Sequence, residues 1–195
     1  SVVQAASATS GASSVTSLSL LPTTTVQNNL LVLIVSADDN AADFTLNGAS
    51  VAVETINTDG WTLAASQTGA TDTDILKLYY WPNAPSLSTA IIVTSTVSTT
   101  LRMALLELGG MATTDVLDQV ALLDDVTSNV TLGFPTTETT TTADEVVVAA
   151  GLAHGGTGGF ASWTNAVVEQ FDIGTAGSHF GVSTSIVSAT GTQTT

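Results

Sequence analysis

The chain has 195 residues, 44% of them hydrophobic, with 17 Asp and Glu against two basic residues, Lys77 and Arg102, and a net charge of −15. Two cations cannot build the footprint that neutralises nucleic-acid phosphates, so no nucleic acid is expected as a partner, and anionic membranes are disfavoured on the same ground. The absence of cysteine removes disulfides, thiolate metal sites and cysteine nucleophiles.

Thr (35 residues) and Ser (20) supply a hydroxyl surface in place of charge. Thr is β-branched and suits a half-exposed pleated surface. The first 13 residues are small and polar and read as an N-terminal arm, loose or used in contacts with neighbours. Residues 1–20 have neither a basic start nor an apolar signal-peptide centre. "SVTSLSL" (14–20) then alternates apolar and hydroxyl residues. "NLLVLIVSA" (29–37) is continuously apolar, as expected of a strand buried on both faces. Its core, "LLVLIV", falls far short of the roughly 18 residues that span a membrane as a helix.

Alternation or short apolar runs continue through 49–56, 60–66, 74–81, 89–97, 99–108, 128–134, 144–153, 166–173 and 179–189. Turn clusters such as Asp38-Asp39-Asn40, Pro82-Asn83-Ala84-Pro85 and Gly109-Gly110 punctuate them. About eleven strands at this spacing predict an all-β, antiparallel sandwich, jelly-roll-like, formed by a single domain over 14–189 with a tail at 190–195. At most one short helix is expected. "TTDVLDQVALLDD" (113–125) is the candidate, with Thr114 as cap and apolar residues at 116, 117, 120 and 123. The Thr-rich stretch 136–142 suits an edge strand or a loop.

The two halves echo one another. "NLLVLIVSADDN", "GWTLAAS" and "ILKLYYW" are followed later by "EVVVAAGLAHGG", "FASWTNAVVEQ" and "HFGVSTSIVS". The order is apolar strand, polar turn, Trp-bearing segment, closing strand, with Trp61 and Trp163 in matching places. Repeated strand order within one sandwich produces such an echo with or without duplication.

Candidate chemistry is sparse. "HGGTGG" (154–159) resembles an oxyanion loop, but no G-x-S-x-G elbow accompanies it and its glycines open no helix. The plainer reading is a glycine-permitted connection between strands. His154 and His179 have no partner visible in sequence, so no catalytic residue is assigned and the chain is not read as an enzyme. No cofactor is expected. The acidic pairs Asp38-Asp39, Asp72-x-Asp74 and Asp124-Asp125 lack EF-hand spacing; Asp72 and Asp74 are the weak candidates for a structural calcium. Alternation puts Tyr79 and Trp81 on one face of their strand and Tyr80 on the other. An exposed Tyr79 and Trp81 would give a stacking platform for a glycan or a subunit contact. Phe160, after the glycine loop, is a further candidate contact.

Taken together, "VVQAASATSGASSVTSLSLLPTTTVQNNLLVLIVSADDN", "GWTLAAS", "ILKLYYWPNAPSLSTAIIVTSTVSTTLRMALLEL" and the later "EVVVAA" strand with its Trp-bearing segment resemble β-sandwich virion structural proteins of tailed phages. The resemblance spans nearly the whole chain as order and texture, and it carries no catalytic residues. It implies a non-enzymatic capsid decoration subunit or tail-associated module at the virion surface. Its partners would be copies of itself, as a homo-oligomer, and a major capsid or tail protein. The chain departs from the family texture in lacking scattered Lys and Arg. Two alternatives are a tail-tip or fibre module that binds a receptor or glycan, and a subunit of an extracellular filament or layer that exchanges strands.

Overall fold

A computed structural model describes residues 1–50, 58–70, 73–122, 140–154, 163, 168–175, 178–188 and 190–191. Among them are twelve strands and no helix, so the chain is all-β and antiparallel, as the periodicity predicts. The strands are β1 (Val2–Thr9), β2 (Val15–Leu20), β3 (Leu30–Ala37), β4 (Phe44–Leu46), β5 (Ala49–Ser50), β6 (Thr62–Thr68), β7 (Ile75–Trp81), β8 (Ile91–Thr99), β9 (Leu101–Leu108), β10 (Glu145–His154), β11 (Val168–Thr175) and β12 (Ser178–Val187).

They form three sheets. A central sheet has the order β1-β9-β3-β7-β6, a second sheet β2-β8-β4-β5, and a third β10-β12-β11. The expected sandwich is therefore present, and a third sheet closes the other face of its central layer. Period-2 alternation sends each central strand's side chains into two cores. Leu31, Leu33 and Val35 of β3, Leu101, Met103 and Leu105 of β9, and Tyr79 of β7 meet Phe44, Leu46, Ile91 and Val93 of the second sheet. Leu30, Val32 and Ile34 of β3, with Ala104, Leu106 and Leu108 of β9, meet Phe180 and Val182 of the third sheet. Every residue of β3 and β9 is buried. That is why "LLVLIV" shows no alternation: neither of its faces meets water.

β9 also buries two charged side chains, Arg102 and Glu107, at its two ends and on opposite faces. Arg102 donates to both carboxylate oxygens of Asp38, just past β3, at 2.6 and 3.1 Å, and also contacts Ser178 Oγ at the start of β12. Ser178 Oγ in turn lies 3.4 Å from Asp38 Oδ2. This cluster ties the central sheet to the third. Glu107 instead accepts from Val26 N–H (2.7 Å), Asn29 Nδ2 (2.6 Å) and Gln4 Nε2 (2.5 Å). It pins the β2–β3 connection, and β1 through Gln4, onto β9.

Two expectations are corrected. Residues 1–13 are not a loose arm, because Val2–Thr9 pair with β9 as the edge of the central sheet, with Ala6 and Ala8 against the first core. Sparse side chains made this strand read as a tail, but the backbone ladder, not side-chain bulk, holds it. No helix forms over 113–122. Asp115 sits at φ 51°, which interrupts helical winding, and Asp118 spends its carboxylate on Thr141 N–H and Oγ1 at 2.6 and 2.7 Å. Residues 123–125 of that candidate, the strand expected at 128–134 and the start of the Thr-rich stretch, residues 136–139, lie outside the described residues.

The echo between the halves takes a definite form. β3 pairs β7 and β7 pairs β6; β10 pairs β12 and β12 pairs β11. In both triplets the last strand in sequence is the middle one in space. β6 carries a bulge between Leu63 and Ala65, opposite Tyr79 and Leu78. β11 carries one between Glu169 and Phe171, opposite Ser183 and Val182. Tyr79 faces Leu33 and Ser183 faces Ala149, which hold the same position in "NLLVLIVSADDN" and "EVVVAAGLAHGG". The tryptophans do not match, however. The bulges align Leu63 with Glu169, so the counterpart of Trp61 falls four residues after Trp163.

Candidate assembly surface

Tyr79 is fully buried in the first core, and among the described residues its hydroxyl finds no hydrogen-bond partner. Trp81 is half-buried, edge-on to Trp61 with ring centroids 5.5 Å apart. Gly60, at φ 90°, lets the chain pass this pair; a Cβ there would meet the Trp81 ring at 2.2 Å. The expected Tyr79–Trp81 face is thus shared as predicted, yet it turns inward. Tyr79 offers nothing to a glycan, because the second sheet covers that face.

Burial pushes the Tyr79 phenol well above the ordinary tyrosine range, and the nearby Asp43 carboxylate adds to the effect. A raised folded-state value leaves stability intact at neutral pH. Stability then falls as pH rises above about 10, where the unfolded chain ionises and the native chain cannot. In a Tyr80→Phe background, alkaline titration should show phenolate absorbance only together with loss of the far-UV dichroism. Phenolate appearing in a chain that stays folded would refute this burial.

Asp74 is buried just before β7, and its main-chain carbonyl accepts from Gly69 N–H at 3.0 Å. Its proposed calcium partner Asp72 lies outside the described residues, as do Phe160 and the glycines at 155, 156, 158 and 159. Among the described residues no three His, Cys, Asp or Glu side chains cluster as a metal site. His179 packs over Gly174, with its Nδ1 3.6 Å from Asp172 Oδ1. The side chain of His154 is not among those described.

Both cations of the chain are turned inward. Arg102 is fully buried, and the Lys77 side chain, 12% exposed, bonds Asp43 Oδ1 at 2.6 Å. That bond is the main cause holding the Asp43 carboxyl below its usual range. The surface therefore offers partners carboxylates, hydroxyls and apolar groups, but neither of the chain's two long cationic side chains.

Exposed apolar side chains are spread over several elements, Leu21 and Val26 among them, and two of the most exposed, Val168 and Ile186, lie at one end of the third sheet. Ile186 and Val168 are 67% and 62% exposed, although they continue the inward face that packs Val182 and Phe180. They overhang because the central sheet ends beneath them at Ser1 and Val2. The result is a cleft of about 410 Å³ lined by Ser1, Val2, Val146, Val168, Thr184 and Ile186. Gln170, the extra residue of the β11 bulge, also lines it and donates a 3.0 Å bond to Thr184 Oγ1. Val3, at the bulge of β1, adds a further exposed aliphatic nearby in sequence.

Sequence reasoning passed over this surface because Val168 and Ile186 look like ordinary strand residues. Only the unequal lengths of the stacked sheets expose them. No helix long and apolar enough to cross a membrane occurs among the described residues. Comparison of the chain with protein-family models, with curated proteins and with solved structures found no match.

Proposed function

We propose that the chain is a non-enzymatic structural subunit that self-associates through its aliphatic rim. In the setting implied by its resemblance to tailed-phage virion proteins, it serves as a capsid decoration protein at the particle surface. The observation that carries this reading is the exposed Val168–Ile186 rim over the cleft at the N-terminus. Contiguous apolar surface rimmed by polar residues marks interaction sites. With both cations internal, apolar, hydroxyl and main-chain contacts are the means of association this surface offers. An acidic exterior with no free cation also disfavours nucleic acid and anionic membranes as partners. The glycan-binding alternative loses its platform with Tyr79 in the core.

Because Val168 and Ile186 are largely solvated, Val168→Glu and Ile186→Glu should leave the monomer folded. Each should weaken self-association in sedimentation-velocity runs over a protein dilution series. A wild-type chain that stays monomeric at every concentration would sink the assembly reading. Imaging of purified particles tests the setting. High copy number on the capsid lattice supports decoration, a few copies at the tail would replace it with a fibre module, and absence from particles would refute the virion assignment.

A further inference from the structure

The third sheet has an edge whose counterpart in the central sheet is filled. In the central triplet β3 pairs β7 on one side and β9 on the other, both antiparallel. In the matching triplet β10 pairs β12 across ten residues without a register shift. Among the described residues nothing pairs its other side. A strand edge of that length presents a row of unpaired N–H and C=O groups, and proteins normally blunt such edges. The usual devices are missing here: "EVVVAAGLAH" has no proline, no lysine, no bulge and no charged residue between Glu145 and His154. Ala149, Ala150 and Gly151 at its centre leave room for a second backbone to approach.

We propose that this edge is taken by β10 of a second copy of this chain, antiparallel across a two-fold axis. The two triplets would then join into a six-stranded sheet, β11-β12-β10-β10-β12-β11. The inference rests on the assembly reading and adds to the Val168–Ile186 rim a second contact, on the side of β10 away from β12 and β11. The edge is complementary to itself when antiparallel, with Glu145 at one end and His154 at the other, and charge sets the direction. At a net charge of −15 per chain, a contact between copies must keep carboxylates apart. Antiparallel pairing sends the two Glu145 residues to opposite ends of the ladder, about 30 Å apart at ~3.4 Å per residue. That is several times the ~8 Å screening length at physiological salt. Parallel in-register pairing would set them side by side. Antiparallel pairing also brings each Glu145 to the partner's His154 end, and it is the geometry in which β9 meets β3. A two-fold axis perpendicular to the sheet keeps the inward faces of both copies on the same side, as a continuous core requires.

The cysteine-free chain makes the test specific, because an introduced thiol is the only one present. Ala149→Cys and Ala150→Cys are small changes at the centre of β10. The copy on the axis faces itself at the ~4.5–5.5 Å Cβ spacing of opposed strand residues, close to disulfide reach. Under mild oxidation one of the two variants should shift from monomer to covalent dimer on a non-reducing gel, while Glu145→Cys should not. In the unmodified protein, exchange of β10 backbone amides should slow as concentration rises. An assembled protein in which neither central cysteine cross-links and β10 exchange ignores concentration would overturn this contact and leave the assembly reading standing. β10 amides already protected at the lowest concentration would assign the edge to the chain's own residues, and a cross-link to a different polypeptide on particles would assign it to that protein; either overturns the second copy. A chain monomeric throughout would overturn both.

Discussion

Asp38→Asn should lower the melting temperature by about 6–12 °C. Arg102 is fully buried and delivers two hydrogen bonds to the Asp38 carboxylate. Removing one partner of a buried pair strands the other charge, at about 3–5 kcal/mol. Because Asp38 is 21% exposed, water reaches the pair and the lower end of that range applies. For a chain of this size each kcal/mol moves the midpoint by roughly 2–4 °C. Asp38→Asn combined with Arg102→Met should recover much of the loss, since a long apolar side chain fills the site without a charge to compensate. Calorimetry on the two single variants and the double variant measures the coupling. Additive losses would mean that the ion pair does not hold the third sheet to the centre.

Glu107→Leu should cost a comparable amount through a different mechanism. The carboxylate is fully buried and no cation faces it in its described contacts; three N–H donors from Val26, Asn29 and Gln4 hold it. Leu keeps most of the volume and leaves those donors without an acceptor, at about 1–3 kcal/mol for each one that water cannot reach. Glu107→Gln should fall between Leu and wild type. Its single carbonyl oxygen can still serve Val26 and Asn29, but its amide nitrogen then meets that of Gln4. Gln4 is fixed in that orientation by a second bond, 3.0 Å to Thr23 O. Chemical denaturation should rank the three proteins wild type, Gln, Leu. Equal stability of Gln and Leu would show that the acceptor count is not what matters.

Much of the fold was legible because strand periodicity survives in sequence. The apolar run at 29–37 and "MALLEL" both read as strands, and both lie in the central sheet as β3 and β9. What periodicity conceals is which partner covers each face. Arg102 and Glu107 sit in an apolar strand without marking that one fastens the third sheet and the other a connection. Asn47-Gly48 is the strongest short hairpin signal in the chain. At φ 48° and 83° it joins β4 to β5, but a three-residue strand before it carried too little pattern to register. Tyr79 and Trp81 were correctly put on one face, although their spacing could not tell an outward face from an inward one. Val168 and Ile186 were invisible as a surface, because their exposure comes from one sheet outreaching another and not from any local pattern.

The two-sided burial of β3 also sets a timetable for synthesis. Its partner β9 ends 71 residues after β3 does, so at roughly 5–20 residues per second a nascent chain carries "LLVLIV" with its β9 edge open for about 4–14 s. In that interval the segment that makes the finished protein's centre is also its best template for intermolecular strand pairing. Slower elongation between residues 37 and 108 would lengthen the window, so yield in a cell should depend on translation rate more steeply than the melting temperature would suggest.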